Sequence, residues 1–222
     1  MAPWFREPGK LLDRMLCDAR RAIVRADKGK TVRRLNLLVG NLLPCAIVFA
    51  LCVSLGCKQA EPDVTKGVTM KLEITSTAFA NGAAIPKQYT GDGQDASPPL
   101  RWSDPPESTK SFALICDDPD APRGMWVHWV LFNLPASARD LPEGVRAVEA
   151  LDNKANQGKN DFGTIGYGGP APPKGKPHRY FFKVYALDTI LNLPAGATKN
   201  ELLASMKDHV LAVGEIMGRY GR

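Results

Sequence analysis

Phe112-Ala113-Leu114-Ile115-Cys116-Asp117-Asp118-Pro119-Asp120-Ala121-Pro122 is an apolar run that breaks abruptly into a turn-forming acidic segment. A short continuous apolar run reads as a strand buried on both faces. It cannot extend through Asp118-Pro119-Asp120-Ala121-Pro122, because proline has no N–H to give to a sheet. Trp126 to Leu134 is a second run of the same kind, Tyr180 to Leu187 a third, and Lys71 to Ser76 alternates apolar and polar residues. Breakers separate them: Ser97-Pro98-Pro99, Pro105-Pro106, Gly144, and the glycine- and proline-crowded stretch from Gly163 to Pro173. The chain therefore reads as mainly β.

One helix stands out. Thr198-Lys199-Asn200-Glu201 has the form of a capping box, and Leu202, Met206, Val210 and Val213 follow at helical spacing, with Gly214 as the expected stop. Beyond it, Glu215 to Arg222 fits either a strand or extended coil.

Composition sets the scale. The chain has 222 residues, 44% hydrophobic and 23% charged, enough for one substantial core. Its net charge of +6 is unevenly placed: residues 1–57 hold ten Lys/Arg against four Asp/Glu, and residues 58–222 hold nineteen of each. The globular part is neutral overall, so a nucleic-acid-binding reading loses its main support.

The excess charge has another explanation. Arg20, Arg21, Arg25, Lys28, Lys30, Arg33 and Arg34 precede an apolar run from Leu35 to Leu55, the pattern of a secretory signal. The run ends in Ser54-Leu55-Gly56-Cys57, which resembles the lipobox of bacterial lipoproteins, although Ser54 stands where a large aliphatic residue is usual. Lipidation at Cys57, an uncleaved membrane anchor and an ordinary cleaved signal all fit. Each exports the domain to the periplasmic side of a bacterial envelope, with the basic side kept in the cytoplasm. The long basic region also leaves the true start open, at Met15 or later. The expected organisation is a leader over 1–57, a polar tether over 58–70 and a domain over 71–222.

Cys116 is the one cysteine of that domain, so it has no internal disulfide partner. At the end of an apolar run it reads as a small buried hydrophobe, with a catalytic thiol as the alternative.

The polar residues that interrupt the strands form their own pattern. His128 comes six residues after Pro122, and His178-Arg179-Tyr180 follows the Gly/Pro stretch. Side chains alternate along a strand, so His128 is expected to share a face with Trp126, Val130 and Phe132. The same rule groups His178, Tyr180, Phe182 and Val184, and turns Arg179 away. Two imidazoles and a phenol at the mouth of an apolar wall suit a small-ligand pocket.

Asp118-Pro119-Asp120-Ala121-Pro122, His128, Gly166-Tyr167-Gly168-Gly169-Pro170-Ala171-Pro172-Pro173 and His178-Arg179-Tyr180 together resemble the phosphatidylethanolamine-binding protein family. The resemblance is to its bacterial and archaeal, Raf kinase inhibitor-like branch. Ser97-Pro98-Pro99-Leu100-Arg101-Trp102 and His209-Val210-Leu211-Ala212 fit it too, so it runs from about Met70 to Arg222. It implies a β-sandwich-like core of antiparallel sheets with a few short helices, and an anion pocket at one end. The pocket roles fall on Asp118, His128, Gly168, Gly169, Pro170, His178 and Tyr180, with Asp120 beside them. The departures are Ala171, where the branch often has cysteine, and Asp161 in Asn160-Asp161-Phe162-Gly163; both are expected to lie outside the pocket.

A carboxylate in an anion site acts as an orienter: Asp118 or Asp120 fixes an imidazole and favours its charged, donating form. Backbone N–H groups around Gly168 and Gly169 are expected to add donors. The favoured function is a binding module for phosphate, phosphorylated headgroups or similar anions, tied to the membrane through its N-terminal segment. An inhibitor or interaction protein acting on an envelope or host protein is the alternative. A hydrolase or metal-dependent enzyme using the two histidines ranks below both, since no metal-ligand or nucleophile spacing accompanies them. No cofactor is expected.

Overall fold

The computed structural model describes residues 63–222; the leader, Cys57 and the start of the tether lie outside the described residues. Ser111–Asp118 forms β4, the interior strand that the apolar run predicted, with all eight of its residues buried. Trp126–Pro135 forms β5 and His178–Leu187 forms β8, and both pair antiparallel with β4, one on each side. Val210–Tyr220 forms β9, antiparallel to β8, and Asn156–Gln157 forms β7 beside β5. Met70–Lys71, β1, completes a six-stranded sheet of order β1-β9-β8-β4-β5-β7. Ile74–Thr75 (β2), Leu100–Trp102 (β3) and Asp140–Leu141 (β6) make a second, three-stranded antiparallel sheet.

The two sheets enclose one core. Leu100, Trp102 and Leu141 of the small sheet pack with Phe112, Leu114, Trp129, Leu131 and Phe182 of the large one. Burying each such side chain contributes about 1.5–3 kcal/mol, which the ordering entropy of the chain largely offsets. The opposite face of the large sheet carries Ile115, Val130, Phe132 and Tyr185, and these are covered by Leu202, Leu203 and Met206. Those three belong to α1, Lys199–Met206, the single α-helix among the described residues; Lys87–Tyr89 adds a 3-10 turn. Asp117 points to the helix side, where its buried carboxylate meets Lys199 Nζ at 3.0 Å and Lys183 Nζ at 3.3 Å. Its neighbour Asp118 faces the other way.

Three expectations change. The sheets are mixed, because β1 runs parallel to β9, with Met70 opposite Ala212; the two strands are far apart in sequence, and no tight hairpin imposes the antiparallel direction. The helix starts at its predicted capping box, where Thr198 Oγ1 accepts from Glu201 N–H and Glu201 accepts from Thr198 N–H. It ends at Met206, earlier than expected. Asp208 takes φ 65°, and Val210, Val213 and Gly214 then enter β9, which also takes in Glu215 to Tyr220. Pairing along the whole of β8 overrides the helical spacing, which β-branched Val210 and Val213 support only weakly. Finally, the described part of the expected tether, from Asp63 onward, is attached to the fold: Val64 is buried in the helix-side core.

Candidate functional site

The pairing of β4 with two antiparallel neighbours decides where the polar residues meet. The carboxyl end of β4 lies beside the amino ends of β5 and β8, with Asp118 opposite Trp126 and Asp117 opposite Phe181. Asp118, His128, His178 and Tyr180, separate in sequence, thus line one cavity of about 270 Å³ at that end of the sheet.

Local hydrogen bonds hold each group. One Asp118 oxygen accepts the N–H of Asp120 at 2.8 Å, closing the turn that Pro119 begins, and the other accepts His178 Nδ1–H at 2.7 Å. His128 Nδ1 donates to the Gly168 carbonyl at 2.5 Å, and Gly168 N–H returns a bond to the His128 carbonyl at 2.9 Å. An acceptor at Nδ1 places the hydrogen there in both rings, so Nε2 is the nitrogen left for a ligand. Burial lowers the pKa of His128, against the opposing pull of its bond to Gly168 and the charge of Asp118. Its ring is therefore held toward the neutral form, whose Nε2 accepts. The expectation that a carboxylate fixes an imidazole applies to His178.

Tyr180 packs against the first of these rings. Its ring stands edge-on to His128 at 5.1 Å between centroids, and its side chain is 1% exposed. Among the described residues the hydroxyl makes no well-formed hydrogen bond, and the Asp118 carboxylate is the acceptor beside it. Burial, then the negative charge of Asp118, pushes its pKa upward, so the group stays protonated and able to donate.

His128 reaches this wall through a bulge. Cys116 pairs with Trp129 and Asp117 with Val127, so His128 is an extra residue on β5. Alternation resets there: Val130 and Phe132 belong to the helix-side core, while Trp129 and Leu131 share the inter-sheet core with Tyr180. The expected grouping of His128 with Val130 and Phe132 is corrected accordingly; that of Tyr180, Phe182 and Val184 matches the packing.

Four of the residues named from the sequence do not line the cavity. Asp120 turns outward, where its two oxygens bind the Arg179 guanidinium at 2.8 and 2.9 Å and the Arg179 N–H at 3.0 Å. Those bonds hold the Asp120 carboxyl down at a pKa of about 2. The N–H groups of Gly168 and Gly169 are also spent internally, the second on Asp95 Oδ1 at 2.6 Å, and supply no donor to the cavity. Their lack of a side chain serves close approach: a Cβ on Gly168 would lie 2.7 Å from the Phe162 ring, and one on Gly169 would lie 2.8 Å from Thr90 backbone atoms. The Pro170 carbonyl takes the N–H of Gly91.

Sequence reasoning missed other residues of the wall. Arg123 stands at the rim, with no motif to mark it. Phe162 and Ala171, expected outside the pocket, both line it. Asn160 ties down the loop with bonds to the Phe162 and Thr164 N–H groups, and Asp161 Oδ2 clamps Val127 N–H at 2.7 Å. Phe162 then lies 5.3 Å from His128 and 5.5 Å from Trp126, half exposed over the cavity. Cys116 is buried in the core, and burial raises its thiol pKa well above the usual range, leaving no thiolate for nucleophilic work. The third histidine, His209, pairs with Asp188 at 2.8 Å away from the cavity.

The strand-rich fold is one that known relatives share. Residues 75–221 match the phosphatidylethanolamine-binding protein family model, and the chain belongs to that family. It is 48% identical to a UPF0098 protein of Methanothermobacter thermautotrophicus over 151 residues, 68% of this chain and 99% of that one. A UPF0098 protein of Aquifex aeolicus is 49% identical over 153 residues, 68% of this chain and 89% of the relative. Among solved structures, a phosphatidylethanolamine-binding protein homolog from Chlamydia trachomatis superposes with a TM-score of 0.63 at 42% identity, over 69% of this chain and 99% of its own. E. coli YbcL, described as a member of the mammalian family, gives 0.64 at 37% identity, over 68% and 99%.

Proposed function

We propose that this protein is a binding protein, exported or tethered to a bacterial membrane by its leader, whose cavity takes phosphate, a phosphorylated headgroup or a similar small anion. The buried hydroxyl of Tyr180, without a well-formed hydrogen bond in the cavity it shares with His128 and His178, carries the reading. A buried polar group costs about 1–3 kcal/mol when left unpaired, and a ligand oxygen at this point would recover that cost. The Nε2 positions of the two imidazoles supply further contacts, and the Arg123 guanidinium at the rim attracts negative charge. Phe162, Trp126 and Pro173 give the cavity apolar walls that strengthen each polar contact by excluding water. The protein acts by holding its ligand rather than by turning it over, and it does not engage nucleic acid.

Titration calorimetry with phosphoethanolamine and with inorganic phosphate tests the reading, alongside mass spectrometry of small molecules that copurify from a bacterial host. Saturable one-to-one binding that weakens about tenfold in the Tyr180→Phe protein supports it. Absence of binding by either ligand, or turnover of phosphoethanolamine, counts against it.

A further inference from the structure

The ligand cavity has a neighbour on the side of His178. A second cavity of about 360 Å³ abuts it, and the two share Pro122, Pro173 and His178 as common wall. This annex is lined by Lys174 and Lys176 from the loop that leads into β8. Both lysines are exposed, and neither takes part in an ion pair with another of the described residues. The one carboxylate in the annex, Asp120, is already occupied by the Arg179 guanidinium through both of its oxygens. Two ammonium groups therefore stand uncompensated by any carboxylate of the annex, next to the cavity that Asp118, His128, His178 and Tyr180 line.

We infer that the preferred ligand carries two anionic groups: one phosphate seated among His128, His178 and Tyr180, and a second phosphate or carboxylate lying past Pro173 between Lys174 and Lys176. The inference rests on the reading of the first cavity as an anion site and narrows its ligand to phosphate anhydrides or esters that bear a further negative group. A neutral or cationic tail leaves the lysines solvated and gains nothing from them. Lysine suits the outer position because it is a point charge on a flexible stem, able to follow ligands of different geometry. Exposed charge pairs are weak and screened by salt, so the pair of lysines adds about tenfold in affinity at 0.15 M salt.

Calorimetry at that salt compares inorganic phosphate with tripolyphosphate on the wild-type protein and on the Lys174→Ala/Lys176→Ala double variant. Both lysines are exposed loop residues, so the variant keeps the fold, which a thermal melt verifies. The expected result is about tenfold tighter binding of tripolyphosphate than of phosphate to the wild type, with the gap closed in the variant and phosphate affinity unchanged. Equal affinities in the wild type, or a gap that survives the double substitution, overturn the inference and leave the anion site standing. Binding of neither ligand overturns both.

Discussion

Asp118 and His178 form an ion-pair geometry of 2.7 Å in which both partners are largely hidden from water, with side-chain exposures of 4% and 12%. The carboxylate's other oxygen is committed to the Asp120 N–H, so the imidazole cannot shift without uncovering a buried charge. A pair of this kind is costly to break from one side. His178→Ala is expected to lower stability by about 1–3 kcal/mol in urea unfolding and to weaken phosphate binding by about ten- to a hundredfold. Unchanged affinity in a folded His178→Ala protein would place the ligand elsewhere.

His128 behaves differently because burial, the main influence on it, depresses its pKa in the folded state. The unfolded chain then takes up a proton that the folded protein resists, so stability is present above the unfolded histidine pKa near 6.5 and is lost as pH falls through the lower folded value. The melting temperature is expected to drop between pH 7 and pH 5, and His128→Gln to flatten that slope. An anion that recruits the charged ring must bring a proton with it. The heat of phosphate binding at pH 7 should therefore differ between buffers of unlike ionisation enthalpy, and affinity should fall as pH rises. Identical heats in all buffers would mean that His128 stays neutral in the complex.

The strands that build the site were legible in the sequence because their patterns are long and their breakers strong. Phe112 to Cys116 and Tyr180 to Leu187 each carry more apolar residues than a turn or an exposed edge tolerates. What escaped was set by pairing between distant segments. Nothing local marks His128 as an extra residue on β5; the bulge exists only against the register of β4. Val210 and Val213 fit a helix and a strand equally until β8 supplies a partner. Asp120 reads as a pocket residue by its place in the motif, and only the fold shows Arg179 opposite it. Phe162 reaches the cavity because Asn160 folds its own loop, an arrangement visible in the sequence as no more than a turn.

Residues 63–66 are held more firmly than the polar composition of the 58–70 segment suggests. Asp63 Oδ1 accepts from Thr65 N–H and hydroxyl at 3.1 and 2.7 Å, and Val64 between them is buried at 9% exposure. A chain beginning at Asp63 is expected to unfold in one cooperative transition. One beginning at Gly67 loses the Val64 contact and should be less stable by about 1–2 kcal/mol. Equal midpoints in urea would show that Val64 contributes nothing to the core.

The proposed tether to the membrane has its own test. The basic stretch, the apolar run and Gly56-Cys57 lead us to expect processing at Cys57, so the protein made in a bacterial host should fractionate with membranes and carry a lipid mass. Cys57→Ala should remove that mass. A full-length amino terminus in the mass spectrum would indicate an uncleaved anchor, and a lipid-free cleaved product an ordinary signal.

Tyr180 offers the cleanest separation of binding from folding, because its hydroxyl is buried and lacks a well-formed hydrogen bond while its ring is packed against His128. Tyr180→Phe keeps the ring and removes only the oxygen. In a residue whose hydroxyl served the fold, that change would cost stability. Here no well-formed bond is lost, only a contact with the Asp118 carboxylate, and a desolvated polar group disappears, so the melting temperature should hold or rise, by up to about 1 kcal/mol in stability. On the proposed reading the ligand loses a donor from the cavity wall, and phosphate affinity should fall by about tenfold. Stability and binding thus move in opposite directions under one atom's removal. A Tyr180→Phe protein that melts earlier and binds as well as the wild type would assign the hydroxyl to the fold and take that contact away from the site.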